Sequence, residues 1–137
     1  MLKINKILYP IDLDTPGENI VLQAVSLARQ FGAELHFLYV NHPTAGYRMP
    51  YDSDDEVALA VRRDIDWNLL KDIPIRYATS RGEVDEEVQK YCEAQKIDLI
   101  VIGHKHHSRL YLKLFDTADE FIVNRVDIPV IVLPLGK

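Results

Sequence analysis

The chain has 137 residues, 47% of them apolar and 27% charged, and a formal net charge of −5. That length fits one domain, residues 1–137, with a sizeable core, and the composition excludes a disordered chain. The negative balance lacks the clustered Lys and Arg of an extended nucleic-acid footprint, and no apolar run approaches the roughly 20 residues of a membrane helix.

Met1 to Lys6 holds no apolar signal core and reads straight into a strand. Cys92 is the only cysteine, so an internal disulfide is impossible. Together these features lead to the expectation of a cytoplasmic protein without membrane or nucleic-acid partners.

Strand-like and helix-like segments then alternate. Lys6 to Asp12 is a short apolar run. Thr15 and Glu18 form a capping box with Pro16 at the first helical position. Ile20, Val21, Ala24, Val25, Ala28 and Phe31 repeat at helical spacing until Gly32 stops the helix. Leu35 to Val40 is a second strand, and Asn41 to Asp52, with two prolines and a glycine, is a loop. Ser53 and Glu56 cap a second helix with the stripe Val57, Val61, Ile65 and Leu69. Ile73 to Thr79 is a third strand, with Gly82 at a turn, and Val84, Val88, Tyr91 and Cys92 mark a third helix. Leu99 to Ile102 is a buried strand, a helix starts near Thr117, and Ile128 to Leu133 is the fifth strand.

Strands separated by helices predict parallel pairing with right-handed crossovers. Such a sheet binds ligands beyond the carboxyl ends of its strands, where the strand order reverses. The candidate loops are Asp12 to Gly17 and Gly103 to Arg109.

Three segments, Ile7-Leu8-Tyr9-Pro10-Ile11-Asp12, Asp98-Leu99-Ile100-Val101-Ile102-Gly103 and Ile128-Pro129-Val130-Ile131-Val132, resemble the universal stress protein family in order and spacing. The resemblance covers essentially the whole chain. It implies a Rossmann-like α/β fold of the adenine nucleotide alpha hydrolase-like kind: a five-stranded parallel sheet in the order 3-2-1-4-5 with helices on both faces.

Nucleotide-binding members of that family carry G-x2-G-x9-G-S/T after the fourth strand. Laid on this sequence, the first glycine is Gly103 and the hydroxyl residue is Thr117, while His106 and Asp116 replace the second and third glycines. A side chain in a left-handed conformation costs roughly 1–2 kcal/mol, and the His106 imidazole also fills phosphate space. Asp116 sets a carboxylate where polyphosphate belongs, and like charges about 4 Å apart repel by roughly 4 kcal/mol at an effective dielectric near 20, less when exposed. Lys105 and Arg109 offset part of this. By the same resemblance, Asp12 faces the nucleoside and Val40 contacts the base. The loop Gly103-His104-Lys105-His106-His107 is similar to that of members without the glycine motif, so no cofactor is expected, with ATP or AMP as the alternative ligand.

Each of these residues also has a plainer reading. Asp12 can receive backbone amides at a helix start, Thr117 with Glu120 makes a capping box, and Val40 fits a core position. His104, His106 and His107 match no strong metal motif, so no metal site is assigned; a basic loop that attracts small anions fits better. Asp52, Asp54, Asp55 and Glu56 lack the glycine and distant glutamate of a calcium loop and suit a helix N-terminus. Cys92 reads as a small buried hydrophobe.

Asp12-Leu13-Asp14-Thr15 resembles the nucleophile motif of haloacid-dehalogenase phosphatases. The fourth strand, however, ends in Gly103-His104 without the acidic pair that would hold magnesium. With no nucleophile–base pair identified, the sequence predicts no enzyme. The resemblance implies a stress-response module acting through protein contacts as a homodimer. Its interface would be Val130, Ile131, Val132 and Leu133 of the C-terminal strand, whose apolar edge needs cover. Tyr47, Arg48, Met49 and Tyr51 offer a surface for another protein partner.

Overall fold

The computed structural model describes residues 3–11, 18–41, 53–63, 67–104 and 127–134. Five parallel strands, β1 (Lys6–Pro10), β2 (Glu34–Asn41), β3 (Ile75–Arg81), β4 (Leu99–His104) and β5 (Val130–Pro134), lie in the order β3-β2-β1-β4-β5. Helices α1 (Glu18–Phe31), α2 (Asp54–Arg63) and α3 (Val84–Gln95) connect them. The predicted strand order is the one observed. The predicted helix near Thr117 and the Thr15–Glu18 capping box lie outside the described residues.

Alternation along the strands assigns the two faces. Ile7, Tyr9, Leu35, Phe37, Tyr39, Leu99 and Val101 point to one side, where Val21, Ala24, Val25 and Ala28 of α1 and Val57 and Val61 of α2 cover them. Leu8, Leu38, Val40, Ile100 and Ile102 point to the other, under Val84, Val88 and Cys92 of α3. Helices therefore sit on both faces, and the central strands read as mainly apolar runs, interrupted in β2 by His36, because neither face meets water.

Local chemistry sets the ends. Gly32, at φ 62, reverses the chain after α1, donating to Arg29 O at 3.2 Å while Ala33 donates to Ala28 O at 2.9 Å. Ser53 Oγ accepts the Glu56 N–H at 3.2 Å, and its hydroxyl meets the Glu56 carboxylate at 3.3 Å. Asp98 Oδ2 accepts the N–H groups of Asn5 and Lys6, which aligns β4 beside β1. At the end of α3, Lys96 adopts a left-handed conformation and donates to Cys92 O.

Several expectations are corrected. Phe31 is half exposed, because it closes the last turn of α1, beyond the stripe that meets the sheet. The α2 stripe does not reach Leu69: the helix ends at Arg63, a short 3-10 turn spans Trp67–Leu69, and Leu70 is buried while Leu69 is exposed. Arg29 holds that turn, donating to Leu69 O at 2.6 Å and gripping the Asp72 carboxylate with two bonds of 2.7 and 2.8 Å. β3 and β5 each begin just after a proline, Pro74 and Pro129, whose carbonyls still accept from the neighbouring strand.

Candidate functional site

β1 lies between β2 and β4, so the chain winds outward from β1 in both directions. The carboxyl ends of β1, β2 and β4 thus meet at the point where strand order reverses, the position at which open α/β sheets open a crevice. Pro10, Asn41 and His104 are the last residues of those strands, and Val40 and Gly103 stand one position before two of them. Of the sequence-predicted nucleotide residues, Val40 and Gly103 are described; Asp12, His106 and Thr117 lie outside the described residues, as does Asp116.

Val40 is buried against α3 and paired in register with Ser80. Gly103 is not the first loop residue. It belongs to β4, in register with Leu133, and His104 continues the strand opposite Pro134. Sequence periodicity stopped at Ile102 because glycine and histidine carry no apolar signal, but pairing with β5 carries the backbone two residues further.

The structure also brings forward residues that sequence reasoning missed. Asn41, assigned to a loop, is the last residue of β2 and is 2% exposed. Its Nδ2 donates to Thr79 Oγ1 at 3.0 Å and to Ser80 O at 3.5 Å, and its carbonyl accepts the Gly82 N–H at 2.9 Å. This ties the exit of β2 to the exit of β3. Beside it, the Ser80 hydroxyl is buried with no hydrogen-bond partner among the described residues. A polar residue directly after an apolar run was the available signal, and it reads equally well as the start of a loop.

Cys92 is buried beneath Leu38 and Val88, and burial pushes its thiol up to about 12. A thiol so placed is a weak nucleophile. No helix among the described residues is long and apolar enough to cross a membrane.

This geometry, a doubly wound five-stranded parallel sheet whose strand order reverses between β1 and β4, can be set beside known proteins. The model of the universal stress protein family matches residues 3–134. The chain belongs to the universal stress protein family. Solved universal stress proteins share the fold. The Lactobacillus plantarum UspA is 24% identical with a TM-score of 0.68, over 96% of this chain and 98% of that one. A universal stress protein in complex with cAMP is 16% identical with a TM-score of 0.67, over 98% and 99%. The Archaeoglobus fulgidus protein in complex with dAMP is 16% identical with a TM-score of 0.62, over 96% and 98%. A comparison with curated proteins gives no match. Within this universal stress protein, the carboxyl ends of β1 and β4 are where the sequence placed its two candidate ligand loops.

Proposed function

We propose that this universal stress protein is a non-catalytic stress-response module that works as a homodimer through β5, and that it belongs to the members lacking an intact glycine loop. The observation that carries the reading is the asymmetry of the two sheet edges. The Pro129 carbonyl accepts from Ile100, so alternation along a parallel ladder turns the backbone groups of Val130 and Val132 away from β4. Val132 is also 41% exposed. An apolar edge of that kind calls for a partner strand. On the opposite edge, Asp54 already occupies an outward amide of β3.

Sedimentation velocity on the purified chain and on Val132→Lys tests the proposal. A dimer that becomes a monomer on substitution supports it. A monomeric wild type, or a dimer indifferent to the charge, overturns it.

Nucleotide sensing is the second reading, favoured by the cAMP and dAMP complexes of the two similar proteins and by the retained position of Val40. In this chain His106 and Asp116 oppose polyphosphate, so ATP binding would be weak. Calorimetry with magnesium and ATP decides: micromolar binding moves the assignment to a nucleotide-responsive regulator, while absence of heat leaves the interaction module standing.

A further inference from the structure

At the amino end of the sheet, opposite the crevice, β2 buries an imidazole. His36 is fully buried, on the face where its neighbours along the strand, Leu38 and Val40, are apolar. Its Nδ1 lies 2.6 Å from the Tyr91 hydroxyl of α3, with the two rings edge-to-face at 5.6 Å. Its Nε2 is buried without a hydrogen-bond partner among the described residues, 3.3 Å from Glu34 Oε1 but outside bonding geometry. That same oxygen receives Arg76 Nε at 2.9 Å. The ring therefore faces Glu34 from its own strand, Arg76 from β3, Lys6 from β1 and Tyr91 from α3.

We infer that His36 and Tyr91 form a proton-operated latch, which holds α3 on the sheet while the imidazole is neutral and releases it when the imidazole is protonated. A neutral ring satisfies Nδ1 with Tyr91. A protonated ring carries two donors, and its second N–H must compete with Arg76 for one carboxylate. Two cations and a dry environment outweigh that carboxylate, and burial is the largest influence holding His36 below the usual imidazole range. The Tyr91 hydroxyl offers no counter-charge, since burial pushes it up to about 12.

His36 is fully buried with Tyr91 of α3 bonded to its Nδ1, so movement of α3 is the route by which the latch would expose the ring. The same helix packs Val84 and Val88 against Leu38 and Val40, so its release loosens the wall beneath Val40 at the crevice end. Lys6 Nζ, bonded to Gln95 O at 3.1 Å, ties the end of α3 by a contact that protonation of His36 leaves in place. The latch thus links acidification at one end of the sheet to the geometry of the other.

The sign follows from linkage. The docked pKa lies below that of the released ring, so release gains nothing above about pH 7. As pH falls below about 6.5, the opening constant of α3 rises by up to about tenfold per pH unit until the docked ring itself protonates.

Amide hydrogen exchange by NMR, normalised to intrinsic rates at pH 7.5, 6.5 and 5.5, tests the latch. Protection in α3 should fall by about fivefold between pH 6.5 and 5.5 while β1 and β2 amides hold, and His36→Gln should abolish the fall. Flat α3 protection in the wild type, or an equal fall in His36→Gln, overturns it. If His36→Gln does not fold, the ring-proton titration of His36 in the wild type decides. A transition that tracks α3 opening supports the latch, and protonation with α3 still protected refutes it.

Discussion

Asp54 Oδ1 accepts the Thr79 N–H at 3.1 Å, joining the first turn of α2 to the outer edge of β3. The Pro74 carbonyl and the Gly82 N–H both point to β2, so alternation sends the Thr79 amide outward. A single carboxylate therefore closes part of an edge that another chain would otherwise pair with. Asp54→Ala should lower stability by about 1 kcal/mol, the net worth of a hydrogen bond at an exposed site. Asp55→Ala, next along the same turn, should change it by less than about 0.5 kcal/mol. Urea unfolding of both variants checks the difference.

Asp54 also shows where sequence reading stops. Its neighbours in an acidic run at a helix start supply a dipole explanation, and nothing local announces a partner 25 positions away. The strand order was legible because alternating elements and the family motifs extend over the whole chain. The helix stripes were legible as far as they touch the sheet. Phe31 and Leu69 fit the period yet lie exposed, since periodicity does not record where the sheet ends or where Arg29 pins a turn. His36 and Asn41 escaped for a related reason. A polar residue inside or beside an apolar run reads as an interruption until its partner, Tyr91 or Thr79, is brought to it by the fold.

Gly32 and Gly82 separate two costs of adding a methyl group. At Gly32, φ is 62 and a Cβ would meet nothing within 4 Å, so Gly32→Ala should cost only the left-handed conformation, about 1 kcal/mol. At Gly82, φ is 150 and a Cβ would stand 2.9 Å from Glu87 Oε2. Gly82→Ala should cost more than Gly32→Ala, about 2–3 kcal/mol. Adding Glu87→Ala should recover the steric part alone. A double-mutant cycle in urea measures the coupling, and additive losses would show that Glu87 swings aside freely.

The Cys92 thiol is both buried and held protonated, so it should resist modification by a disulfide reagent at pH 8 and react at once in denaturant. Its labelling rate should follow the opening of α3. Cys92→Ser should cost about 1–3 kcal/mol, because the hydroxyl would be buried among Leu38, Val88 and Ile97. Cys92→Ala should cost less, since it introduces no polar group. Rapid labelling of the native protein at pH 8 would show that α3 does not cover the thiol in solution.

The loop after β4 offers a test by restoration. On the family resemblance, two positions of the glycine pattern hold His106 and Asp116, and each would oppose a phosphate chain for a different reason. At that position His106 would demand space and a backbone conformation that a glycine adopts freely. Asp116 would bring charge, and its repulsion of polyphosphate would exceed the conformational cost wherever water is excluded. His106→Gly with Asp116→Gly should therefore tighten binding of magnesium–ATP by at least tenfold, which corresponds to about 1.4 kcal/mol. Asp116→Gly alone should give the larger share, and that share should shrink at high salt because screening weakens the repulsion it removes. Calorimetry on the wild type, both single variants and the double variant measures each contribution. An affinity unchanged in the double variant would mean that these two side chains do not decide whether the crevice holds a nucleotide, and attention would pass to the polar exit of β2 and β3 around Asn41 and Ser80.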